Sequence, residues 1–217
     1  MNTTGDNLLF VIKNFFRNDL VNLTAKSVRH FVPEAHIACL NLFKKSINEY
    51  RDQEFLNVNE VFYKQSKYDS KGVGGQGNAQ NSLFFSEGYN FIYEKYKDFD
   101  GKILMMAEDH FFTSGKTIEE FINKDFDIAY AKWGDGVNGS ILGLDNRRPK
   151  IKSIFPLPER VAGGVEGVFK EDILDKAAQP HRFSTRDDSD YKGDGLYTNN
   201  AQEVRKALTN HNILNQL

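Results

Sequence analysis

Ile103-Leu-Met-Met-Ala-Glu-Asp-His-Phe-Phe112 joins five apolar residues directly to an acidic cluster near the middle of the 217-residue chain. A short apolar run without polar alternation is typical of a strand that is buried on both faces of a sheet. Glu108, Asp109 and His110 then follow the carboxyl end of this strand, where open α/β sheets bind their ligands. Such charges must be solvated, paired or bound to a metal. A metal site and a solvated turn both meet that requirement, and this stretch alone leaves the choice open.

The segments before this strand predict a strand, a helix and a second strand. Leu8–Ile12 and Ala35–Leu42 are compact apolar runs. Between them, apolar residues at helical spacing follow Asn18 or Asp19, either of which can cap a helix, and the pattern stops at Pro33. A unit of this size forms a right-handed crossover between parallel strands. The chain is therefore predicted to be an α/β protein with a mixed, mainly parallel sheet flanked by helices.

Further elements follow from local patterns. Thr117-Ile-Glu-Glu120 resembles a capping box and predicts a short helix. A glycine-rich segment, residues 71–78, fits either a phosphate-binding loop or a surface turn, and it lacks the Gly-Lys-Ser/Thr ending of a P-loop. A final helix is predicted from about Asn200 to Leu208. Four more segments have the pattern of strands: Glu60–Tyr63, Phe126–Trp133, Gly139–Leu144 and Lys150–Pro158.

Composition limits the class of protein. A hydrophobic content of 40% is enough for a sizeable core, and the length predicts one domain. The 28 basic and 30 acidic residues are spread along the chain, so nucleic-acid binding as the main role has no support. The single cysteine, Cys39, has no partner for an internal disulfide. The sequence shows neither a signal peptide nor a run of apolar residues long enough to span a membrane, which predicts a cytoplasmic protein.

Two acidic pairs stand in comparable settings, because Glu108-Asp109 ends the central strand and Glu171-Asp172 follows the glycine pair Gly163-Gly164. The order of these parts resembles the nucleotide-sugar glycosyltransferases of the GT-A fold. Ala107-Glu-Asp-His110 takes the place of their Asp-x-Asp-type metal motif, and Lys170-Glu-Asp172 takes that of their x-Glu-Asp motif. The likeness spans most of residues 8–180. It implies one domain over residues 1–217, with a nucleotide-binding half at 1–110 and an acceptor-side half at 111–217.

The resemblance implies a divalent cation, Mn²⁺ or Mg²⁺, on the diphosphate of a nucleotide-sugar donor, which is most simply a UDP-sugar. Such an ion stabilises the charge that develops on the leaving diphosphate, and hard oxygen ligands suit it. Asp109 is the implied ligand, and Glu108 is implied to assist it or to bind the ribose. His110 stands where the family has a second acid, and histidine can still bind Mn²⁺. His181 matches a C-terminal histidine that many members place on the metal or diphosphate, and an ordinary loop histidine explains it equally well.

The second motif implies a general base that takes the proton of the acceptor hydroxyl. Asp172 matches the position of that base, Glu171 is its neighbour, and Glu166 is a second candidate in the glycine-containing loop. The alternative for Asp172 is an acid that only stabilises a helix N-terminus. A retaining enzyme needs neither residue as a base, so the stereochemical outcome stays open.

The donor site is predicted from the end of the first strand. Lys13, Asn14 and Arg17 fall where the family holds the nucleoside, and backbone or apolar groups of Phe10, Val11 and Ile12 are further candidates. Arg182, near the C-terminal end of the likeness, is a candidate for binding diphosphate oxygens, which arginine holds through two parallel hydrogen bonds.

The function predicted from the sequence is transfer of a sugar, a hexose or deoxyhexose, from a nucleotide donor to a hydroxyl of a glycan or glycoprotein. A nucleotidyltransferase that makes sugar nucleotides is one alternative, although its usual glycine-rich signature is missing from Ile12–Arg17. A non-catalytic carbohydrate-binding or scaffold domain is another, because His110 departs from the metal motif. Whether the chain is a fragment of a longer protein also stays open.

Overall fold

The structure is a computed structural model that describes residues 7–14, 17–41, 58–62, 79–133, 136–157, 173–183, 195–197 and 200–214. In chain order the described strands are β1 (Leu8–Asn14), β2 (His36–Asn41), β3 (Val58–Phe62), β4 (Lys102–Ala107), β5 (His110–Phe112), β6 (Ile128–Trp133), β7 (Gly136–Asp145), β8 (Pro180–Arg182) and β9 (Gly195–Tyr197). The described helices are α1 (Asn18–Phe31), α2 (Ala79–Tyr96), α3 (Lys116–Asn123), α4 (Ile151–Ile154) and α5 (Ala201–Asn210).

The main sheet has the strand order β3-β2-β1-β4-β7-β6-β8, and β5 pairs with β9 in a small second sheet. Strand β1 is parallel to both β2 and β4, and β2 is parallel to β3. Strand β7 is antiparallel to β4 and β6, and β6 is parallel to β8. Every strand of the main sheet except β7 therefore runs in one direction. The predicted mixed, mainly parallel sheet is confirmed.

Strand β4 is buried on both faces, as its unbroken apolar sequence predicts. Ile103 and Met105 belong to a core under α2, whereas Leu104 and Met106 belong to a second core under α1 and α3. All four side chains are fully buried. Burying one such side chain contributes about 1.5–3 kcal/mol, so this strand is a large part of what holds the two layers of helices to the sheet.

Helix α1 has two apolar faces. Val21 and Val28 pack on the sheet, and Leu23 packs with Val204 and Leu208 of α5. The helix bridges the main sheet and the C-terminal helix for this reason.

The predicted cap of α1 is wrong. Asn18 is the first helical residue, Arg17 takes the cap position, and the Asn14 Oδ1 atom accepts a hydrogen bond from the Arg17 N–H at 3.0 Å. The carboxylate of Asp19 is drawn instead into an ion pair with the Arg17 guanidinium at 2.9 Å. The helix ends before Pro33 as predicted.

Two other local predictions fail for identifiable reasons. The segment predicted as a strand at Lys150–Pro158 contains helix α4, in which Ile151 and Ile154 are both buried. Their spacing of three suits one face of a helix, and periodicity alone does not separate the two states in so short an apolar run. The short helix predicted at Thr117 is present as α3, but its cap was misplaced by two residues, because Gly115 takes the cap position and Thr117 is buried within the first turn.

Two polar side chains donate hydrogen bonds to the C-terminal ends of helices at the edge of the sheet where β4 begins. The Lys102 Nζ atom donates to the carbonyl oxygens of Phe121, Ile122 and Lys124 at 2.7–2.8 Å, at the C-terminal end of α3. The Asn146 Nδ2 atom lies 2.8–3.1 Å from three carbonyl oxygens at the end of α2. The last carbonyls of a helix lack the N–H donors of a following turn, and these two side chains donate to such carbonyls and to those just beyond them. At the end of α2 they act beside backbone donors, because the Phe99 N–H donates to the Tyr96 carbonyl and the Gly101 N–H to the Phe99 carbonyl.

Cys39 lies in the middle of β2 with no exposed surface. Burial is the largest cause that raises the pKa of its thiol well above the ordinary value, and the charges of Glu60 and Glu108 act in the same direction. In the described part of the chain, none of the helices is long and apolar enough to cross a membrane.

Candidate active site

The carboxyl ends of β1, β2, β3 and β4 meet at one edge of the sheet, because these strands are parallel neighbours. Polar residues end three of these strands or follow them directly: Lys13 and Asn14 on β1, Asn41 on β2, and Glu108 after β4. All four are buried. Buried polar groups are kept only where they are satisfied by partners or serve a ligand, so this edge is the candidate active site.

Glu108 and Asp109 form the turn between β4 and β5. The backbone N–H of Glu108 donates to the carbonyl oxygen of Lys13 at 3.1 Å, which ties the turn to the end of β1. The Asp109 Oδ1 atom lies 2.8 Å from the Nδ1 atom of His110. The side chain of Asp109 is 18% exposed, whereas that of His110 is 7% exposed. Asp109 is therefore more accessible than His110, and both are residues that the sequence assigns to a metal.

Two cationic side chains accompany these acids. The Lys13 Nζ atom lies 3.9 Å from the centre of the Tyr89 ring. Burial lowers the pKa of Lys13 to about 7, against the opposing charges of Glu108 and Asp109. The pKa of Arg17 is raised, chiefly by its hydrogen bond to Asp19, and the charges of Glu108 and Asp109 add to that rise. Lys13 and Arg17 therefore lie close enough to Glu108 and Asp109 for their charges to interact, and the roles of these four residues in binding stay predictions.

Burying the charge of Lys13 is expected to lower the free energy of unfolding, and this effect can be measured. Replacing Lys13 with Met is expected to raise the free energy of unfolding at pH 7 by about 1–3 kcal/mol, because an apolar side chain of similar size needs no solvation. Between pH 7 and the ordinary value of 10.5, the unfolded chain holds the lysine proton more tightly than the folded chain does. The contribution of Lys13 to the stability of the unaltered protein is therefore expected to become less unfavourable as pH rises through this window. Melting temperatures of both proteins from pH 6.5 to 9.5 check this, and the difference between them should shrink as pH increases. A difference that is constant with pH would show that Lys13 has an ordinary pKa.

Three side-chain amides and one carboxylate form a connected chain from the start of α1 through β1 and β2 to the middle of β3. The Asn14 Nδ2 atom donates to Asn18 Oδ1 at 2.5 Å and lies 3.4 Å from Asn41 Oδ1. The Asn41 Nδ2 atom donates to Glu60 Oε1 at 2.6 Å. Asn18, Asn41 and Glu60 were not predicted as site residues. The available signal was weak, since Asn41 is a polar residue that interrupts the end of an apolar run.

Three of the predicted donor-binding residues lie in the core. Phe10, Val11 and Ile12 are at most 1% exposed. Phe10 packs edge-on against Phe112 and Phe121, with ring centres 6.4 and 5.7 Å apart. The side chains of these three residues hold the sheet together, and the structure does not bring them to the edge of the sheet.

His181 and Arg182 lie on β8, three strands away from β4 in the sheet. At the usual spacing between strands, that separation is about 14 Å. The His181 Nε2 atom is 3.2 Å from Glu120 Oε2 of α3, and its ring stacks on Phe126. The structure therefore does not bring His181 or Arg182 together with Asp109.

Several predicted residues lie outside the described residues: Glu166, Glu171, Asp172 and the glycine-rich segment 71–78. Their roles stay predictions.

The acidic turn fits a divalent cation that is shared with a substrate. Within the described residues, no group of three or more His, Cys, Asp and Glu side chains is arranged to hold a metal ion. Glu108 and Asp109 nevertheless provide two adjacent carboxylates. Mg²⁺ in proteins is usually bound by one or two carboxylates together with waters and substrate phosphates, rather than by a complete cage of side chains. The donor set matches that arrangement.

Three solved structures with this fold are distant in sequence. The catalytic domain of β1,4-galactosyltransferase 7 from Drosophila, in complex with xylobiose, is 13% identical over 90% of this chain and 72% of its own, with a TM-score of 0.56. A candidate nucleotide-diphospho-sugar transferase from Desulfovibrio desulfuricans is 10% identical over 98% of both chains, with a TM-score of 0.53. The 4-diphosphocytidyl-2C-methyl-D-erythritol synthase from Anaerococcus prevotii is 13% identical over 95% of this chain and 98% of its own, with a TM-score of 0.50.

The chain spans only 45% of the length of another fold match, a glycosyltransferase of Streptococcus pneumoniae. No family model matches the chain, and no curated protein sequence matches it. At identities this low, a likeness defines the fold alone. That fold is the GT-A fold of nucleotide-diphospho-sugar transferases, so the resemblance that the order of motifs predicted is confirmed at this level.

Proposed function

We propose that this chain is a metal-dependent glycosyltransferase that uses a nucleotide-diphosphate sugar, with a UDP-sugar as the first candidate, and a glycan or glycoprotein hydroxyl as acceptor. The observation that carries the proposal is the acidic turn Glu108-Asp109 at the carboxyl end of the central strand, with Lys13 and Arg17 beside it. Acids and cations that share a buried strand edge suit a ligand that carries both a metal ion and phosphate charge.

Each side chain has a role in this proposal. A Mn²⁺ or Mg²⁺ ion, when bound, stabilises the negative charge of the departing diphosphate. Asp109 holds the ion because its carboxylate is the more exposed one, and Glu108 supports it from the buried side of the turn. Lys13 and Arg17 add positive charge on the side of β1, which favours the developing charge of the leaving group. His110 fixes the Asp109 carboxylate through its 2.8 Å contact.

The proposed nucleoside site lies at the carboxyl ends of β1 and β2 and beside Glu60 of β3. The amides of Asn14 and Asn41 and the carboxylate of Glu60 offer both donors and acceptors there, in one connected chain. Base edges and ribose hydroxyls need such mixed partners, because an unmet donor or acceptor in a buried site costs about 1–3 kcal/mol.

The proposed roles of residues on the acceptor side rest on the sequence alone. Asp172 is retained as the proposed base that takes the acceptor proton if the reaction inverts the anomeric centre, with Glu171 and Glu166 as the neighbouring candidates.

A screen of nucleotide sugars with and without Mn²⁺ tests this proposal. A ligand present at one hundred times its dissociation constant stabilises the protein that binds it by about 2.7 kcal/mol, and we expect this of the matching UDP-sugar in the presence of Mn²⁺. For a chain of this size, that corresponds to a rise in melting temperature of about 5–10 °C. Slow release of UDP from the matching donor should accompany the rise. A protein that no nucleotide sugar stabilises would contradict the proposal, and a shift that is equal without Mn²⁺ would remove the metal from it.

A sugar-nucleotide nucleotidyltransferase is the second candidate, because the synthase from Anaerococcus prevotii shares the fold. The same screen separates the two when a nucleoside triphosphate and a sugar phosphate are added. Release of pyrophosphate would favour the nucleotidyltransferase. Stabilisation by free glycans without any turnover would favour a carbohydrate-binding domain.

A further inference from the structure

Two hydroxyl groups of α1, those of Thr24 and Ser27, form hydrogen bonds with the backbone of the acidic turn and of strand β5, which follows it. The Thr24 Oγ1 atom lies 2.7 Å from the carbonyl oxygen of Glu108 and 2.9 Å from that of His110. The Ser27 Oγ atom accepts a hydrogen bond from the Phe112 N–H at 3.1 Å and donates to the carbonyl oxygen of Thr24 at 2.7 Å. The two residues are three positions apart and therefore share one face of the helix.

These contacts are made out of reach of solvent. Thr24 is 1% exposed and Ser27 has no exposed surface. Because water does not replace a lost partner at such a site, loss of either hydroxyl leaves a buried backbone group with one hydrogen bond fewer. The backbone from Glu108 to Phe112 is thereby tied to α1 by two hydroxyl groups: the single hydrogen of Thr24 is shared between the carbonyl oxygens of Glu108 and His110, and Ser27 accepts from the Phe112 N–H.

The two carbonyls that contact Thr24 belong to the residues on either side of Asp109. A turn held at both flanking residues has little freedom to rotate, so the direction of the Asp109 carboxylate is set before any ligand arrives. Ligand-binding groups depend on such support, since small errors in their placement cost affinity and rate.

We propose that Thr24 and Ser27 are positioning residues, which orient Asp109 for its metal ion by hydrogen bonding to the backbone of the turn. This inference rests on the proposed function, because it assumes that Asp109 binds the ion.

Thr24→Val tests the inference, since valine has the shape of threonine without the hydroxyl. The measurement is the affinity for Mn²⁺ in the presence of UDP, read from the electron paramagnetic resonance signal of free Mn²⁺. Loss of a group that orients a metal ligand weakens metal binding about 10- to 100-fold, and we expect that effect here. Thr24→Ser keeps the hydroxyl and should restore most of the affinity. Should Thr24→Val fail to fold, Ser27→Ala removes the acceptor for Phe112 and is expected to act in the same direction.

Asn146→Ala is the matched control. It also removes hydrogen bonds to backbone carbonyls, but it does so at the other end of β4. It should lower the melting temperature and leave the affinity for Mn²⁺ unchanged. If Thr24→Val binds Mn²⁺ as tightly as the unaltered protein does, the inference alone is overturned. It is also overturned if Asn146→Ala weakens Mn²⁺ binding as much as Thr24→Val does. Absence of Mn²⁺ binding by the unaltered protein would overturn the metal site of the proposed function and this inference with it.

Discussion

Asp109→Asn should abolish the Mn²⁺-dependent rise in melting temperature that UDP produces, and it should lower the rate of transfer about 100- to 1,000-fold. The substitution keeps the size of the side chain and removes its charge, so the turn and its contact with His110 are expected to persist. A metal ion that stabilises a departing diphosphate is worth several kcal/mol in the transition state, and each 1.4 kcal/mol is a factor of ten in rate.

The charge-matched control for Asp109 is Asp125→Asn. Asp125 is an exposed acid that pairs with Arg148 at 2.9 Å, away from the acidic turn. This variant should keep the full response to Mn²⁺ and UDP. Retention of the response by Asp109→Asn would assign the ion to other residues, and loss of the response in both variants would point to a general effect of charge.

Lys102→Met is expected to lower the free energy of unfolding by about 3 kcal/mol. Burial lowers the pKa of Lys102 to about 8, which shows that its charge is costly in this position. The three carbonyl oxygens at the end of α3 outweigh that cost, because methionine offers them no donor and they stay buried or half-buried. Denaturant unfolding at pH 7 measures the difference, and catalytic constants should be little affected because Lys102 lies at the opposite end of β4 from the acidic turn.

The control for Lys102 is Lys97→Met, which removes an exposed lysine that pairs with Glu94 across one helical turn. Exposed pairs of this kind contribute little to stability, so this variant should unfold close to the unaltered protein. If both lysine variants lose the same stability, the contacts of Lys102 with α3 have no special weight.

Strands β1, β2 and β4 were predictable because each is a local apolar run, and burial on both faces of a parallel sheet needs only that pattern. The acidic turn was predictable for a related reason, since it follows the most apolar strand directly. The final helix was also predicted within two residues, because Asn200 is a local cap whose side chain accepts from the Gln202 N–H.

The features that the sequence did not predict depend on contacts between residues far apart in the chain. Thr24 and Ser27 have the sequence context of an ordinary amphipathic helix, and only the packing of α1 against residues more than 80 positions away gives them a role. Lys102 has the sequence context of a solvated lysine before a strand. The position of His181 three strands from β4 follows from the pairing of β8 with β6, a parallel contact that no local pattern encodes.

The enclosed thiol of Cys39 makes this chain convenient to study. It is the sole cysteine in the sequence, its side chain has no exposed surface, and burial raises the pKa of its thiol well above the ordinary value while β2 is in place. A thiolate attacks the sulfur of a disulfide-exchange reagent and expels the reagent's other sulfur as a thiolate, so labelling of Cys39 is expected from molecules whose sheet has opened. The rate of labelling of Cys39 therefore reports how often the centre of the sheet opens. Applied to each substitution above, it distinguishes a variant that has lost a ligand from one that has loosened its scaffold.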